Sequence, residues 1–178
     1  RWKADSAGSL SGKYSMHHVF DNPESGSDCI GVPLSDLHPA EGTTGWRFII
    51  RHGYDPSASN NWTAFLMSDA DPASFYSGSA VSGYAVGVNL SGYDDTLRLW
   101  KVKNGGVSVV ASSDLNWQND IGTLNTAEIR AERSEEGDWH ISVFDSDSKL
   151  LGEGAAFDNE LFAAGWFILN YRYSSARD

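Results

Sequence analysis

The sequence predicts an all-β protein built as a two-sheet antiparallel β-sandwich. Eighteen glycines in 178 residues, with no sustained helical repeat of Leu, Lys and Glu, argue against helices. About ten short segments rich in aromatic and β-branched residues follow one another, separated by Gly, Pro, Asn or Asp. This spacing is typical of a sandwich, and a closed barrel is the less favoured alternative. We expect residues 1–178 to form a single domain.

Two aromatic-rich strands, joined by a loop of Pro, Ser and Asn, form the centre of the predicted arrangement. Residues 46–52 alternate large apolar side chains with Arg47 and Arg51, so the two arginines share the opposite face of the strand. Residues 61–67 form the second strand. We expect these two strands to be neighbours in one sheet.

The other elements are predicted from alternation and from the turn residues between them. Asn104-Gly105 is the strongest tight-hairpin signal, and Pro33 restricts its segment to an edge strand or an irregular crossing. In chain order, the predicted elements are a strand at Tyr14–Phe20 ending in the turn Asp21–Pro23, an edge strand at Cys29–Leu34, a hairpin of Gly83–Leu90 with Thr96–Lys103, a strand at Val107–Val110, a pair of Thr126–Arg133 with Trp139–Phe144, one helical turn at Asp158–Phe162, and a final strand at Gly165–Tyr173.

Charge and cysteine content exclude several classes of function. The chain has 13 basic and 24 acidic residues, and its net charge of -11 disfavours binding to nucleic acid or to an anionic membrane. No apolar run is long enough to span a bilayer, so we expect no membrane insertion. Cys29 is the single cysteine, which excludes an intrachain disulfide and a cysteine-based zinc site. Because the first residue is Arg1, we expect a mature fragment or a domain excised from a larger multidomain protein.

Motifs along nearly the whole chain carry a resemblance to a known family. They are Gly45-Trp46-Arg47-Phe48, Asn60-Asn61-Trp62, Gly83-Tyr84, Leu97-Arg98-Leu99-Trp100, Asp138-Trp139 and Asn170-Tyr171-Arg172-Tyr173-Ser174-Ser175. The pattern resembles the concanavalin A-like, laminin-G-like domains of secreted bacterial surface and polysaccharide-processing proteins. This resemblance implies a lectin-like jelly-roll of two antiparallel sheets, which binds sugars on its concave sheet or at rim loops. It also implies an extracellular or cell-surface location.

Aromatic and amide side chains are the first candidate ligand-binding group. We expect Trp62, Trp100 and Trp117 to be exposed and to stack on sugar rings, although a tryptophan in a sandwich is more often part of the core. Asn60 and Asn61 precede Trp62, and their amides supply both donors and acceptors for sugar hydroxyls.

Arginines are the second candidate group. If the strands carrying Arg47, Arg51 and Arg172 belong to one sheet, they form a cationic patch for an anionic polysaccharide. Pairing with Asp or Glu is the alternative, and binding of a neutral sugar through aromatic rings is the preferred hypothesis.

Metal and catalytic signals are weaker. No zinc motif is present, but calcium is possible at turns containing Asp69 and Asp71, Asp94 and Asp95, or Asp145 and Asp147. Plain turn chemistry explains the same residues. The family's Glu-x-Asp-x-x-Glu hydrolase signature is absent from the sequence.

Three functions remain open. A non-catalytic carbohydrate-binding module is the leading hypothesis. A polysaccharide lyase or glycoside hydrolase is the alternative, because Arg47, Arg51, His52, Tyr171 and Arg172 have the residue types that lyases use. A structural or adhesion domain of a cell-surface protein is the third.

Overall fold

The computed structural model describes residues 1–19, 24–35, 37–77 and 80–174. Within these ranges the strands are β1 (Trp2–Asp5), β2 (Ser15–His18), β3 (Gly26–Pro33), β4 (Thr44–Ile50), β5 (Asn61–Ser68), β6 (Gly83–Val88), β7 (Thr96–Lys103), β8 (Gly106–Asn116), β9 (Ala127–Arg133), β10 (Asp138–Phe144), β11 (Leu150–Phe157) and β12 (Trp166–Tyr173). The helices are α1 (Pro72–Tyr76) and α2 (Trp117–Asp120). Phe20, the predicted turn Asp21–Pro23 and Ser175 lie outside the described residues.

The strands form two facing antiparallel sheets and a separate hairpin. One sheet has the order β11-β10-β9-β4, the other has the order β3-β12-β5-β6-β7-β8, and β1 pairs with β2. The inward side chains of the two large sheets form the main core, where Tyr84 of one sheet contacts Trp139 of the other with ring centroids 4.7 Å apart. The predicted two-sheet β-sandwich is therefore confirmed.

The central pair of strands is arranged differently from the prediction. β4 pairs with β9, whereas β5 pairs with β6 and β12, so β4 and β5 belong to different sheets. Phe48 on β4 meets Trp62 on β5 across the core, at a centroid distance of 6.3 Å. Alternation shows which side chains point inward, but it does not show whether consecutive strands pair or face each other.

Local turn chemistry predicted the hairpins correctly. Asn104 and Gly105 both have positive φ, 49° and 78°, as a tight hairpin turn requires, and β7 pairs with β8 around them. The predicted pairings of β6 with β7 and of β9 with β10 are also present, and β3 is an edge strand that ends at Pro33.

Other local predictions were wrong or incomplete. Residues 158–162 are not helical, and the strand predicted at Val107–Val110 continues to Asn116 as part of β8. Strands β1 and β11 and both helices were not predicted from the sequence. Among the described residues, neither helix is long or apolar enough to cross a membrane.

A smaller core covers part of the outer face of the six-stranded sheet. Phe65, Ala85 and Ile168 point to this face and pack with Phe75 of α1. Asp71 caps α1 by accepting hydrogen bonds from the backbone N–H and the hydroxyl of Ser74, both at 2.9 Å. Strand β5 is consequently buried on both faces.

Candidate functional site

A cleft of about 390 Å³ opens where the terminal hairpin meets the edge of the four-stranded sheet. Its lining is mainly aromatic and aliphatic, with a few polar groups, as is usual for small-molecule sites. The lining residues are Trp2, Leu10, Ser15, Met16, His17, His18, Phe48, Ile49, Ile50, Arg51, His52, Gly53, Tyr54, Trp62, Phe167, Leu169 and Tyr171.

The unequal width of the two sheets explains the position of the cleft. The four-stranded sheet ends at β4, whereas the six-stranded sheet continues beyond β5 to β12 and β3. The β1–β2 hairpin packs on this exposed part, because the ring of His18 contacts the rings of Tyr171 and Tyr173 at centroid distances of 4.9 and 5.4 Å. The cleft thus has β4 on one side, the hairpin on the other, and β5 and β12 beneath.

A buried polar network holds the hairpin in place. Asp28 on β3 is 7% exposed, and its Oδ2 lies 2.8 Å from His18 Nε2 and accepts a 2.9 Å hydrogen bond from the Tyr173 hydroxyl. Arg1 in turn donates to the Tyr173 hydroxyl at 2.8 Å. Burial by itself would raise the pKa of Asp28, but these hydrogen bonds and the charge of Arg1 keep it below its ordinary value. The carboxylate therefore stays ionised and fixes the hairpin.

His52 is a buried polar group that lines the cleft and continues the inward face of β4. Its side chain is 4% exposed, and its ring contacts Tyr171 at a centroid distance of 5.5 Å. Burial lowers the pKa of His52 to about 4, so the imidazole is neutral at physiological pH. Burial also raises the pKa of the Tyr171 hydroxyl, which therefore keeps its proton.

Comparisons with known proteins find similar folds but do not assign this chain to a family. The structure is similar to the carbohydrate-binding module CBM66 from Bacillus subtilis, with a TM-score of 0.50 and 21% identity over 75% of this chain and 69% of that chain. The shared feature is the β-sandwich. A second similar structure, Scytalido-glutamic peptidase with a peptide-based transition-state analog, has a TM-score of 0.40 and 10% identity over 84% of this chain and 65% of that chain. No family model matches the chain, and no curated protein is similar to it in sequence.

The tryptophans predicted to be exposed are buried. Trp62 is 1% exposed, and Trp100 and Trp117 are 0% exposed. Trp117 begins α2 and packs on Trp62 at a centroid distance of 5.0 Å, so the polar residues around it in sequence are not its neighbours in space. The predicted surface-stacking role is therefore wrong for Trp100 and Trp117. Trp62 alone of the three lies against the cleft.

The two predicted amides stabilise a loop. Asn61 Nδ2 donates to the backbone carbonyls of Ser57 and Ala58 at 3.2 Å, and the Asn61 side chain is buried. Asn60 Oδ1 accepts a 2.9 Å hydrogen bond from the N–H of Ser174. Neither residue lines the cleft. Asn61 Nδ2 and Asn60 Oδ1 thus have partners within the protein, and the predicted contact of these two residues with sugar stays a prediction.

The three predicted arginines do not form one patch. Arg47 points outward from the four-stranded sheet and donates to Glu128 at 2.6 Å. Arg172 is exposed on the outer face of the six-stranded sheet, because Tyr171 and Tyr173 on either side of it point inward. Only Arg51 lies at the cleft, where it is exposed at the rim. The single-sheet assumption behind the cationic patch was wrong.

The aspartates considered as calcium ligands have other partners. Asp69 accepts from the N–H of Ser82 at 2.7 Å, Asp94 forms a two-bond ion pair with Arg98, and Asp145 accepts from the N–H groups of Asp147 and Lys149. Within residues 1–19, 24–35, 37–77 and 80–174, no three His, Cys, Asp or Glu side chains are grouped so as to hold a metal. Bonds to backbone N–H groups account for Asp69 and Asp145, and an ion pair accounts for Asp94.

Several cleft residues had no clear signal in the sequence. Trp2 lies in a strand of four residues, which is too short for alternation to reveal, and Tyr54 lies in the loop after β4. Phe167 and Tyr171 were assigned to the final strand, but the pattern does not separate an inward residue at a cleft from one in the closed core.

Proposed function

We propose that this protein is a non-catalytic carbohydrate-binding module that binds a saccharide in the cleft between the β1–β2 hairpin and β4. The observation that carries the proposal is the aromatic lining of a cleft large enough for a sugar ring, with a few polar groups placed among the rings. Sugar rings have apolar C–H faces that pack on aromatic side chains, and hydroxyls that require polar partners. The similarity to CBM66 adds a precedent for this use of the fold, and it is an analogy only.

Binding is favoured over hydrolysis by the composition of the cleft. A glycoside hydrolase needs two carboxyl groups on either side of the scissile bond. In the described part of the chain no Asp or Glu lines the cleft. The acidic residues of β9 that alternate on one face, Glu128 and Glu132, lie on the outer face of the four-stranded sheet, away from the cleft.

A lyase is the second candidate, because Arg51, His52 and Tyr171 all line the same cleft. An eliminating enzyme would use a cation to neutralise a uronate carboxylate and a base to remove the neighbouring proton. The raised pKa of Tyr171 makes its phenolate costly to form, which disfavours this residue as the base. Incubation with alginate and pectin, monitored for unsaturated products, tests the lyase directly.

Affinity measurements on a panel of plant, algal and bacterial polysaccharides test the proposed function. Replacing Tyr54 at the cleft with Ala should weaken binding by about 1–3 kcal/mol, as expected for an aromatic contact at an interface. Tyr93→Ala is the matched control, because Tyr93 is 83% exposed and does not line the cleft. Failure of every glycan class to bind, or an equal loss in both variants, would refute the proposal.

A further inference from the structure

Three buried polar side chains that line the cleft have no hydrogen-bond partner within the described part of the protein. They are His52, at both Nδ1 and Nε2, and Trp2 and Trp62, each at Nε1. Buried polar groups in proteins are nearly always bonded, since leaving one without a partner costs stability. A ligand or a water molecule in the cleft can satisfy them.

Of these residues, His52 is the most informative. Indole nitrogens without a partner also occur at Trp100 and Trp139, which do not line the cleft, so this feature at Trp2 and Trp62 does not by itself indicate a ligand. His52 is different because both of its nitrogens lack partners among the described residues, and the ring beside it is that of Tyr171, at a centroid distance of 5.5 Å. A phenylalanine of nearly the same shape would fill this position without the polar cost.

We propose that His52 is the specificity-determining residue of the cleft and that it binds a hydroxyl group of an uncharged saccharide. This inference rests on the proposed function and names the ligand class for the same site. A hydroxyl both donates and accepts, so it matches whichever tautomer the neutral imidazole adopts. Trp62 Nε1 is a donor only and offers a second contact to an oxygen of the same ligand.

The charges along the cleft support an uncharged ligand. Among the described residues, the charged or titratable side chains that line it besides His52 are Arg51, His17, His18, Tyr54 and Tyr171, so none of these lining residues supplies a carboxylate to bind a cation. Burial keeps His52 neutral, so the imidazole has no positive charge to stabilise an anion bound beside it. Arg51 is exposed at the rim, where it can bind a charged substituent that remains in contact with solvent.

Nitrogen NMR of the histidine rings tests the inference on the unmodified protein. The probes are glycerol and a panel of neutral and uronate methyl glycosides. Neutral glycosides that bind should shift the ring nitrogens of His52, and glycerol at high concentration should shift the same signals. Affinity is then compared for His52→Phe and for His140→Phe, a control on β10 whose imidazole is bonded to Glu153 and lies outside the cleft.

The two proposals fail in different ways. His52→Phe should remain folded and lose about tenfold or more in affinity, whereas His140→Phe should not change affinity. If glycosides bind and shift other cleft residues while the His52 nitrogens and the affinity of His52→Phe stay unchanged, the inference is overturned and the proposed function stands. If glycerol shifts His52 but no saccharide binds, the proposed function fails and the polar subsite stands. If no hydroxyl compound shifts the ring nitrogens of His52, the inference is overturned.

Discussion

Replacing His52 with Phe should make the protein more resistant to acid. Burial lowers the pKa of His52 to about 4 in the folded protein, whereas an unfolded histidine titrates near 6.5. Between these values the unfolded chain binds a proton that the folded protein does not bind. The free energy of unfolding of the wild type therefore decreases as pH falls from 6.5 to 4, and the interval corresponds to about 3 kcal/mol.

The variant isolates this contribution because phenylalanine does not titrate. Carboxylates also lose stabilising interactions in acid, and Arg98 lowers the pKa of Asp94 to about 2 through a two-bond ion pair. That loss begins as pH falls below the ordinary aspartate value near 4, and it occurs in both proteins. The difference in stability between His52→Phe and wild type should therefore reflect the single imidazole.

Urea unfolding at several pH values between 7 and 4 measures this difference. We expect His52→Phe to gain about 3 kcal/mol relative to wild type over this range, with an unchanged denaturant slope. A difference that stays constant with pH would show that His52 protonates freely in the folded protein. It would refute both the buried position of the imidazole and the argument that the ligand group bound by His52 is uncharged.

Three further predictions concern other parts of the molecule. Asp28→Asn removes the carboxylate that anchors the hairpin and should lower the free energy of unfolding by about 2–4 kcal/mol. Hydrogen exchange should become faster in β1 and β2 than in β5, and uniform exchange would contradict the anchoring role. Trp62→Ala should cost about 3–5 kcal/mol in chemical unfolding, because the ring is fully buried, and a stable variant would show that it is not core. Arg47→Gln and Arg172→Gln should leave glycan affinity and its salt dependence unchanged in titrations; weaker binding in either would restore the cationic patch.

Local sequence signals predicted most of the strands and several of their faces. On β9 and β10 the inward positions, such as Ile129, Trp139 and Ile141, are buried, and Glu128 and Arg130 pair on the outer face. These signals were sufficient because alternation depends only on which face of a strand meets the core. The sandwich itself follows from many short strands with one or two apolar faces.

The candidate site was harder to predict, because it depends on contacts between distant parts of the chain. Trp117 was expected at the surface because its sequence neighbours are polar, yet it packs against Trp62, fifty-five positions earlier in the sequence. The strands carrying Arg47 and Arg172 have similar alternation, but they belong to different sheets. The two-residue alternation assigns each side chain to one face of its strand, but it does not show which sheet the strand joins.

The difference in width between the two sheets accounts for both the cleft and the kind of residue found in it. A four-stranded layer cannot cover a six-stranded one, so the inward face of β12 extends beyond β4 and needs another partner. The hairpin provides that partner through His18, and the space left between hairpin and β4 is lined by residues such as Phe48, His52 and Tyr171. These are inward positions on their strands, which in a closed sandwich would be core. A buried histidine on such a face has both the burial of a core residue and the polar chemistry of a binding-site residue. The experiments on His52 distinguish these two roles.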